Sequence, residues 1–370
     1  MTMDTFTHGA AAHGERRAPP SAEAATETLA RLEEVSASRG DELIGRRVAE
    51  LRLWIEADLT DVEADLRAYD LSVETPMHRA AEHLLRLGGK RLRPMCVALA
   101  ARAGRGFSHA VRDLAVAAEL VHNATILHDD VVDLGDVRRG APTARVVYGN
   151  AASIFAGDWL LVEAITRIRA AGFSDLLDRA LVVLREMIGA EALQLAARGS
   201  ISTDTQAYFR VVEGKTASLF RWALYAGARA GELPEAHCVA LEEYGRHLGL
   251  AFQVMDDLLD VSGEAAVMGK SLFADLREGK LTYPLLLAVQ RDEGFCALVR
   301  EHCAGASNAL DAELARRASA ALRETGAVED TASLARRLSQ QAVQSLAALP
   351  ESRARESLES VAVAMLHRRK

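Results

Sequence analysis

Two short stretches decide the reading of this chain: His128-Asp129-Asp130-Val131-Val132-Asp133 and, 127 residues further on, Met255-Asp256-Asp257-Leu258-Leu259-Asp260. Both have the form D-D-x-x-D, and both close a strongly apolar stretch whose hydrophobic residues recur every three or four positions, the period of a helix. On a helix, positions i and i+4 share a face. Asp129 therefore projects with Asp133 and Asp256 with Asp260, while Asp130 and Asp257 lie to one side. Like charges stacked in this way repel, and Asp is a poor helix former, so six such carboxylates on apolar helices call for compensation. A divalent cation supplies it. Carboxylates without His or Cys partners suit Mg²⁺, which keeps several waters and is shared between a few carboxylates and substrate phosphate oxygens. One copy alone reads equally well as a solvated helix end. Two copies, on helices able to face each other across a bundle, leave a diphosphate-sized gap bridged by metal.

Outward from these motifs the text is dominated by Ala, Leu, Arg and Glu, with almost no alternating Val/Ile/Thr runs, which predicts an all-helical fold. Helices are expected over about 22–38, 41–69, 74–87, 92–102, 108–134, 150–171, 175–197, 204–229, 235–260, 280–291, 308–324 and 328–368. Turn residues punctuate them at Gly88-Gly89, Gly104 to Gly106, Gly135 to Pro142, Gly231 to Pro234 and Gly263 to Gly279. No Pro/Ser-rich spacer divides the chain, so residues 22–370 are expected to form a single domain behind a disordered tail at 1–21, which carries no secretory signal.

Composition narrows the function. With 370 residues, 49% hydrophobic and 26% charged, the chain is neither wholly disordered nor collagen-like. A net charge of −8 provides no positive field for nucleic acid, so a polyanionic ligand must be held by local cations or metal. Cys96, Cys238, Cys296 and Cys303 lack metal-ligand spacing, which points to free thiols in a reducing cytosol. No apolar run is long enough for a transmembrane span.

The local cations lie in tight loops. In Gly88-Gly89-Lys90-Arg91-Leu92-Arg93-Pro94 the glycines permit close backbone approach, with Lys90 as a point charge and Arg93 as a bidentate fork. A helix C-cap explains the first three residues but not the whole run. Arg138 and Arg139 follow the first aspartate motif, and Lys270 and Lys280 bracket a loop after the second that suits a mobile lid. Gly214-Lys215-Thr216 resembles the end of a phosphate loop but lacks the upstream glycine and preceding strand, so a nucleotide P-loop is rejected. His122 shares the Asp129 face nearly two turns away, where a satisfied core histidine is the competing reading. Glu191 and Gln194 fit a cleft-facing pair or a plain helix surface equally well. No Ser-His-Asp order, His-Glu-x-x-His or glycine-rich strand turn appears, which removes hydrolase, zincin and dinucleotide readings.

Taken in order, GGKRLRP at 88–94, LHDDVVDLGDVRRG at 127–140, GD at 157–158, Glu191 with Gln194, KT at 215–216, GLAFQVMDDLLD at 249–260 and GK…DLREGK at 269–280 resemble the trans-prenyltransferases, or polyprenyl diphosphate synthases, over about 45–365. The resemblance implies an isoprenoid-synthase-type helical bundle around a central cavity, commonly a homodimer, working on isopentenyl diphosphate and an allylic diphosphate. It implies that Asp129, Asp130, Asp133, Asp256, Asp257 and Asp260 hold about three Mg²⁺ ions against the allylic diphosphate. Lys90, Arg93, His122 and Arg139 would hold isopentenyl diphosphate. Arg138, Lys215, Thr216, Gln253, Lys270 and Lys280 would line the allylic diphosphate, with Lys215 and Thr216 near the developing cation. One position departs from the family: Phe273 stands where Gly is usual, which puts the backbone between Lys270 and Asp275 in question.

Ionising an allylic C–O bond needs a stabilised leaving diphosphate and no protein nucleophile, which agrees with the inventory. The resemblance also marks Ala124 and Thr125 as the floor for short products. Neither is bulky, so the chain descending past Asp129 is expected to follow a tunnel toward Val121 and Ala117 and reach about 30 to 50 carbons. A non-catalytic partner subunit would show a broken aspartate motif or a missing basic loop. In a terpene cyclase the Lys90, Arg93, His122 and Arg139 set would be superfluous.

Overall fold

The computed structural model describes residues 22–38, 42–69, 75–199, 201, 203–262, 273–304 and 312–367. The proposed tail at 1–21, Lys270 and the terminal Arg368-Arg369-Lys370 lie outside the described residues. Among the described residues the regular structure is helical apart from one hairpin with two-residue strands, Val137–Arg138 against Ala141–Pro142, which turns the chain back after the first aspartate motif.

The first half comprises α1 (Ala22–Ser38), α2 (Glu42–Arg67), α3 (Pro76–Arg86), α4 (Leu92–Arg102), α5 (His109–Val132), α6 (Ala144–Tyr148), α7 (Asn150–Ala170) and α8 (Ser174–Ala197). Then come α9 (Thr205–Val212), a π-helical turn (Glu213–Ala217), α10 (Ser218–Ala230) and α11 (Glu235–Val261). The chain ends in α12 (Ala274–Arg277), α13 (Tyr283–Arg291), α14 (Glu293–Ala304), α15 (Ala312–Glu324), α16 (Ala327–Ser345) and α17 (Arg353–Ala364). Side-chain caps set several starts. Thr75 accepts from the His78 N–H with Pro76 leading α3, Ser108 accepts from Val111 N–H, and Ser352 accepts from Arg355 N–H.

Helix α5 runs through the core. Its residues Leu114 to Val121 are all buried, and it packs against α2, α4, α7 and α10. Helix α11 packs on the other side of the bundle against α10, the π-turn and α16. Helix α10 therefore touches both helices that carry the aspartate motifs. Small residues set its spacing from α11: a Cβ on Gly245 would lie 2.7 Å from the Phe220 carbonyl oxygen, and one on Gly249 would lie 2.5 Å from the Ala217 Cα. Backbone cannot yield that much, so only glycine allows this approach.

Several expectations are adjusted. The single helix expected over 204–229 is divided by the π-turn, and the one expected over 328–368 is broken after Ser345, where Pro350 cannot continue it and Ser352 caps its successor. Helices α6 and α14 fall in stretches expected to be irregular. Among the described residues no helix is long and apolar enough to cross a membrane.

Candidate active site

Cations from elsewhere in the chain hold the first aspartate motif, polar groups hold the second, and the adjacent residues Lys215 and Thr216 connect the two. At the end of α5, Asp133 receives Lys280 Nζ at 2.7 Å and also pairs with Arg198 at the C-terminus of α8. Asp129 lies 3.4 Å from Lys215 Nζ, and Asp130, buried, takes both Nε and Nη2 of Arg138 at 2.8 Å. On α11, Asp257 is buried and accepts from Tyr208 Oη at 2.6 Å, from Gln253 Nε2 at 3.0 Å and from the Tyr283 N–H at 3.2 Å. Thr216 Oγ1 donates to Gln253 Oε1 at 2.9 Å. Adjacent residues of the π-turn thus reach in two directions: Lys215 toward the first motif and Thr216 toward the second. A π-turn widens the backbone by one residue and re-aims its side chains, which is why such turns recur at functional sites.

Lys215 also hydrogen-bonds Gln194 Oε1 at 3.1 Å and pairs with Glu191. The undecided pair on α8 is therefore cleft-facing. A cavity of about 420 Å³ opens between α8, α9, the π-turn, α11 and the segment after α12; Lys215, Thr216, Gln253, Asp257 and Lys280 line it, together with Arg198. Ala124, Thr125, Val121 and Ala117 are not among its lining, so the expected tunnel toward Val121 and Ala117 is not an extension of this cavity. Ala117, Val121 and Ala124 are buried, and Thr125 is half-buried with its hydroxyl donated to the His122 carbonyl at 2.8 Å.

Asp260 is turned toward backbone: Oδ1 accepts from Ala274 N–H and Oδ2 from Asp275 N–H, each at 3.3 Å. It anchors the segment at Phe273, which adopts a left-handed conformation at φ 60°. That is costly for a residue with a Cβ, and it explains why glycine is the simpler choice there. Here the phenyl ring is 1% exposed, packed into a satellite core with Leu276 and Leu285, so burial offsets the strain. Asp256 is half-buried on α11.

The second group of cations forms a separate cluster. The Lys90 ammonium lies 5.9 Å from the Phe252 ring centroid and the Arg93 guanidinium 4.7 Å from that of Phe220. The two rings themselves meet at 5.6 Å. Burial lowers Arg93 to about 10. His122 is held well below its ordinary range by burial and by Arg93, Arg139, Arg138 and Arg91, so it is a neutral imidazole among guanidinium groups.

The donor set suits a hard cation. Among the described residues no three His, Cys, Asp or Glu side chains are gathered closely enough to hold a metal ion by themselves. Burial pushes Asp129 up to about 6 against the pull of Lys215, with Glu191 and Asp133 adding to the rise. Burial also pushes Asp257 up to about 6 despite its three hydrogen bonds. Asp133 is lowered instead, because Lys280, Lys215 and Arg198 outweigh its burial. Asp129 and Asp257 are thus the two carboxylates of the motifs that burial makes costly to charge.

Arg198 and Tyr208 were not legible in the sequence as site residues. Their partners Asp133 and Asp257 lie 65 and 49 residues away, and neither residue stands in a recognisable motif.

Residues 74–318 match the polyprenyl synthetase family model. The chain is 35% identical over 323 residues to octaprenyl diphosphate synthase of Haemophilus influenzae, covering 85% of this chain and 95% of that one. It is 33% identical over 312 residues to heptaprenyl diphosphate synthase component 2 of Geobacillus stearothermophilus, covering 84% and 95%. Its fold superimposes with a TM-score of 0.79, at 35% identity and over 86% of this chain and 97% of the other, on a crystal structure of polyprenyl synthase from Caulobacter crescentus complexed with calcium and isoprenyl diphosphate. The all-helical fold, the twin aspartate motifs and these likenesses converge: the chain is a prenyltransferase of the trans-polyprenyl diphosphate synthase family.

Proposed function

We propose that this chain condenses isopentenyl diphosphate head-to-tail onto an allylic diphosphate, giving an all-trans polyprenyl diphosphate of about 30 to 50 carbons. The observation that carries this reading is the joining of both aspartate motifs to one cationic cleft, by Lys280 and Lys215 on the first and by Thr216 through Gln253 on the second. Asp129, Asp130, Asp133, Asp256, Asp257 and Asp260 would hold Mg²⁺, which when bound supplies electrophilic stabilisation of the leaving diphosphate. The rest follows from the protein's own groups. Lys215 and Lys280 stand where negative charge grows on the departing oxygen, and Gln253 orients Thr216 beside the carbon left behind. Lys90, Arg93 and Arg139 hold the second diphosphate, with the buried His122 as a further hydrogen-bonding ligand. The isopentenyl double bond attacks the allylic cation. Released diphosphate takes the final proton, and aliphatic helix walls exclude the water that would quench the cation.

Small residues support the long product, since Ala124 and Thr125 place no bulk below Asp129. The four scattered cysteines support a cytoplasmic setting, and Cys96, Cys238 and Cys296 are free thiols.

A homodimer is supported by an apolar surface on two neighbouring helices. Phe155 and Val162 on α7, and Leu181, Ile188 and Leu195 on α8, are each 45% to 69% exposed at seven-residue spacing, which keeps each set on one helix face. Replacing Ile188 by Asp is expected to convert a dimer into a monomer by light scattering after size exclusion. An unchanged mass would place the interface elsewhere.

The test of the reaction is incubation of the purified chain with Mg²⁺, labelled isopentenyl diphosphate and geranyl, farnesyl or geranylgeranyl diphosphate, followed by sizing of the lipid. Elongation to long chains is expected. No elongation with any primer would favour a non-catalytic subunit, and a cyclic hydrocarbon would favour a cyclase.

A further inference from the structure

Between Lys90 and Arg93 stands a third cation, Arg91, whose surroundings are of a different kind. Its backbone is left-handed, at φ 49°, and it forms the N-cap of α4 without a capping side chain. Its side chain is 3% exposed. Nε donates to Glu63 of α2 at 2.7 Å and Nη1 donates to Glu119 of α5 at 2.7 Å, and both carboxylates are buried. Nη2 is buried without a partner. Glu63 also takes Arg67 at 2.7 Å, and these guanidinium groups hold it below the ordinary carboxylate range against its burial.

The loop thus sends its cations two ways. Lys90 and Arg93 go to the paired rings of Phe252 and Phe220, on α11 and α10, while Arg91 goes to carboxylates on α2 and α5. Gly89 closes against the same point. A Cβ there would lie 2.9 Å from Arg91 Nη1, 3.1 Å from Glu119 Oε1 and 3.2 Å from Arg139 Nη2. Glu119 consequently faces Arg91, Arg93 and Arg139 together, as one buried counter-charge among groups that would otherwise repel.

We propose that Arg91 is a positioning residue of the isopentenyl diphosphate subsite: clamped between Glu63 and Glu119, it holds residues 88–93 in the left-handed turn that presents Lys90 and Arg93 as a pair. This rests on the reading of the preceding subsection and extends it to a residue that reading leaves without a role. A non-glycine residue keeps a strained backbone only when its surroundings over-determine it. Two buried carboxylates on separate helices do so here. Only a planar fork with donors on two edges can satisfy both, so lysine is no substitute.

The test compares Arg91→Met, Arg91→Lys and the double variant Arg91→Met/Glu63→Gln with the unaltered chain. The readouts are thermal stability, the calorimetric Kd for isopentenyl diphosphate, and the KM for each substrate. Both single variants are expected to weaken isopentenyl diphosphate on the order of 10-fold to 100-fold in Kd and KM, while the KM of the allylic diphosphate stays close to that of the unaltered chain. The double variant, which removes one of the two buried carboxylates that lose Arg91 as a partner, is expected to recover stability without recovering that affinity. Recovery of affinity by Lys would make Arg91 a direct point-charge ligand and overturn the proposal. Recovery of both properties in the double variant, or an equal loss for both substrates, would make Arg91 a stability element only and overturn it too. Should the unaltered chain bind isopentenyl diphosphate but form no longer product, the reaction reading falls while the Kd comparison still decides the role of Arg91.

Discussion

Asp129→Asn is expected to lower kcat by about 10²-fold to 10³-fold while leaving the melting temperature close to that of the unaltered chain. Asparagine has the shape of aspartate and can still accept from Lys215, so the fold around α5 is kept. It cannot carry charge. Asp129 is the carboxylate whose burial, with Glu191 and Asp133 nearby, pushes it up to about 6, so in the free protein its charge is expensive and Lys215 at 3.4 Å only partly compensates it. The substitution relieves that cost and can raise stability slightly. The expected signature is therefore a protein as stable as before and much slower, because stabilisation of the leaving diphosphate is lost where it matters most. Single-turnover ionisation of the allylic substrate, measured beside thermal denaturation, separates the two effects. A variant within a few-fold of normal activity would mean that the Asp129 charge takes no part in stabilising the leaving diphosphate.

Ala124→Phe is expected to shorten the product sharply. Ala124 is wholly buried and five residues before Asp129, which at 1.5 Å per residue puts it about 7.5 Å down the helix and leaves room for about two isoprene units below the allylic end, so products of about C15 to C20 are expected. Ala124 is wholly buried, so a phenyl ring there also overpacks its surroundings, at a cost of about 1–3 kcal/mol. Rate with the shortest primer is expected to survive, since neither the aspartates nor the basic loops are touched. Chromatography of the dephosphorylated products reads the result. A product distribution unchanged from the unaltered chain would show that the growing chain leaves by another route, for which the cavity between α8, α9 and α11 is the available space.

What was legible in the sequence was the local part. Helical periodicity and the D-D-x-x-D spacing depend on neighbours a few residues apart, so the helices carrying Asp129 to Asp133 and Asp256 to Asp260 could be read directly. The resemblance added which basic residues to place with them. The non-local part could not be read. Nothing in Gly214-Lys215-Thr216 indicates a π-turn rather than a continuous helix, and the close approach to Ala217 that accompanies it depends on Gly249, 32 residues away. Glu191 and Gln194 became cleft-facing only once Lys215 was seen between α8 and the first motif. Arg91 looked like one more cation of a basic loop. The carboxylates that define its different role lie on α2 and α5, each 28 residues from it in opposite directions along the chain. Phe273 is the reverse case, where a departure from the family pattern was visible but its resolution by burial was not.

The central claim is tested most directly by determining a crystal structure of the protein with Mg²⁺ and an unreactive thiolo analogue of the allylic diphosphate. It predicts one diphosphate between α5 and α11, with metal-bound carboxylate oxygens from both aspartate motifs at about 2.1 Å. A diphosphate held by one motif alone, or by Lys and Arg side chains with no metal between, would contradict it.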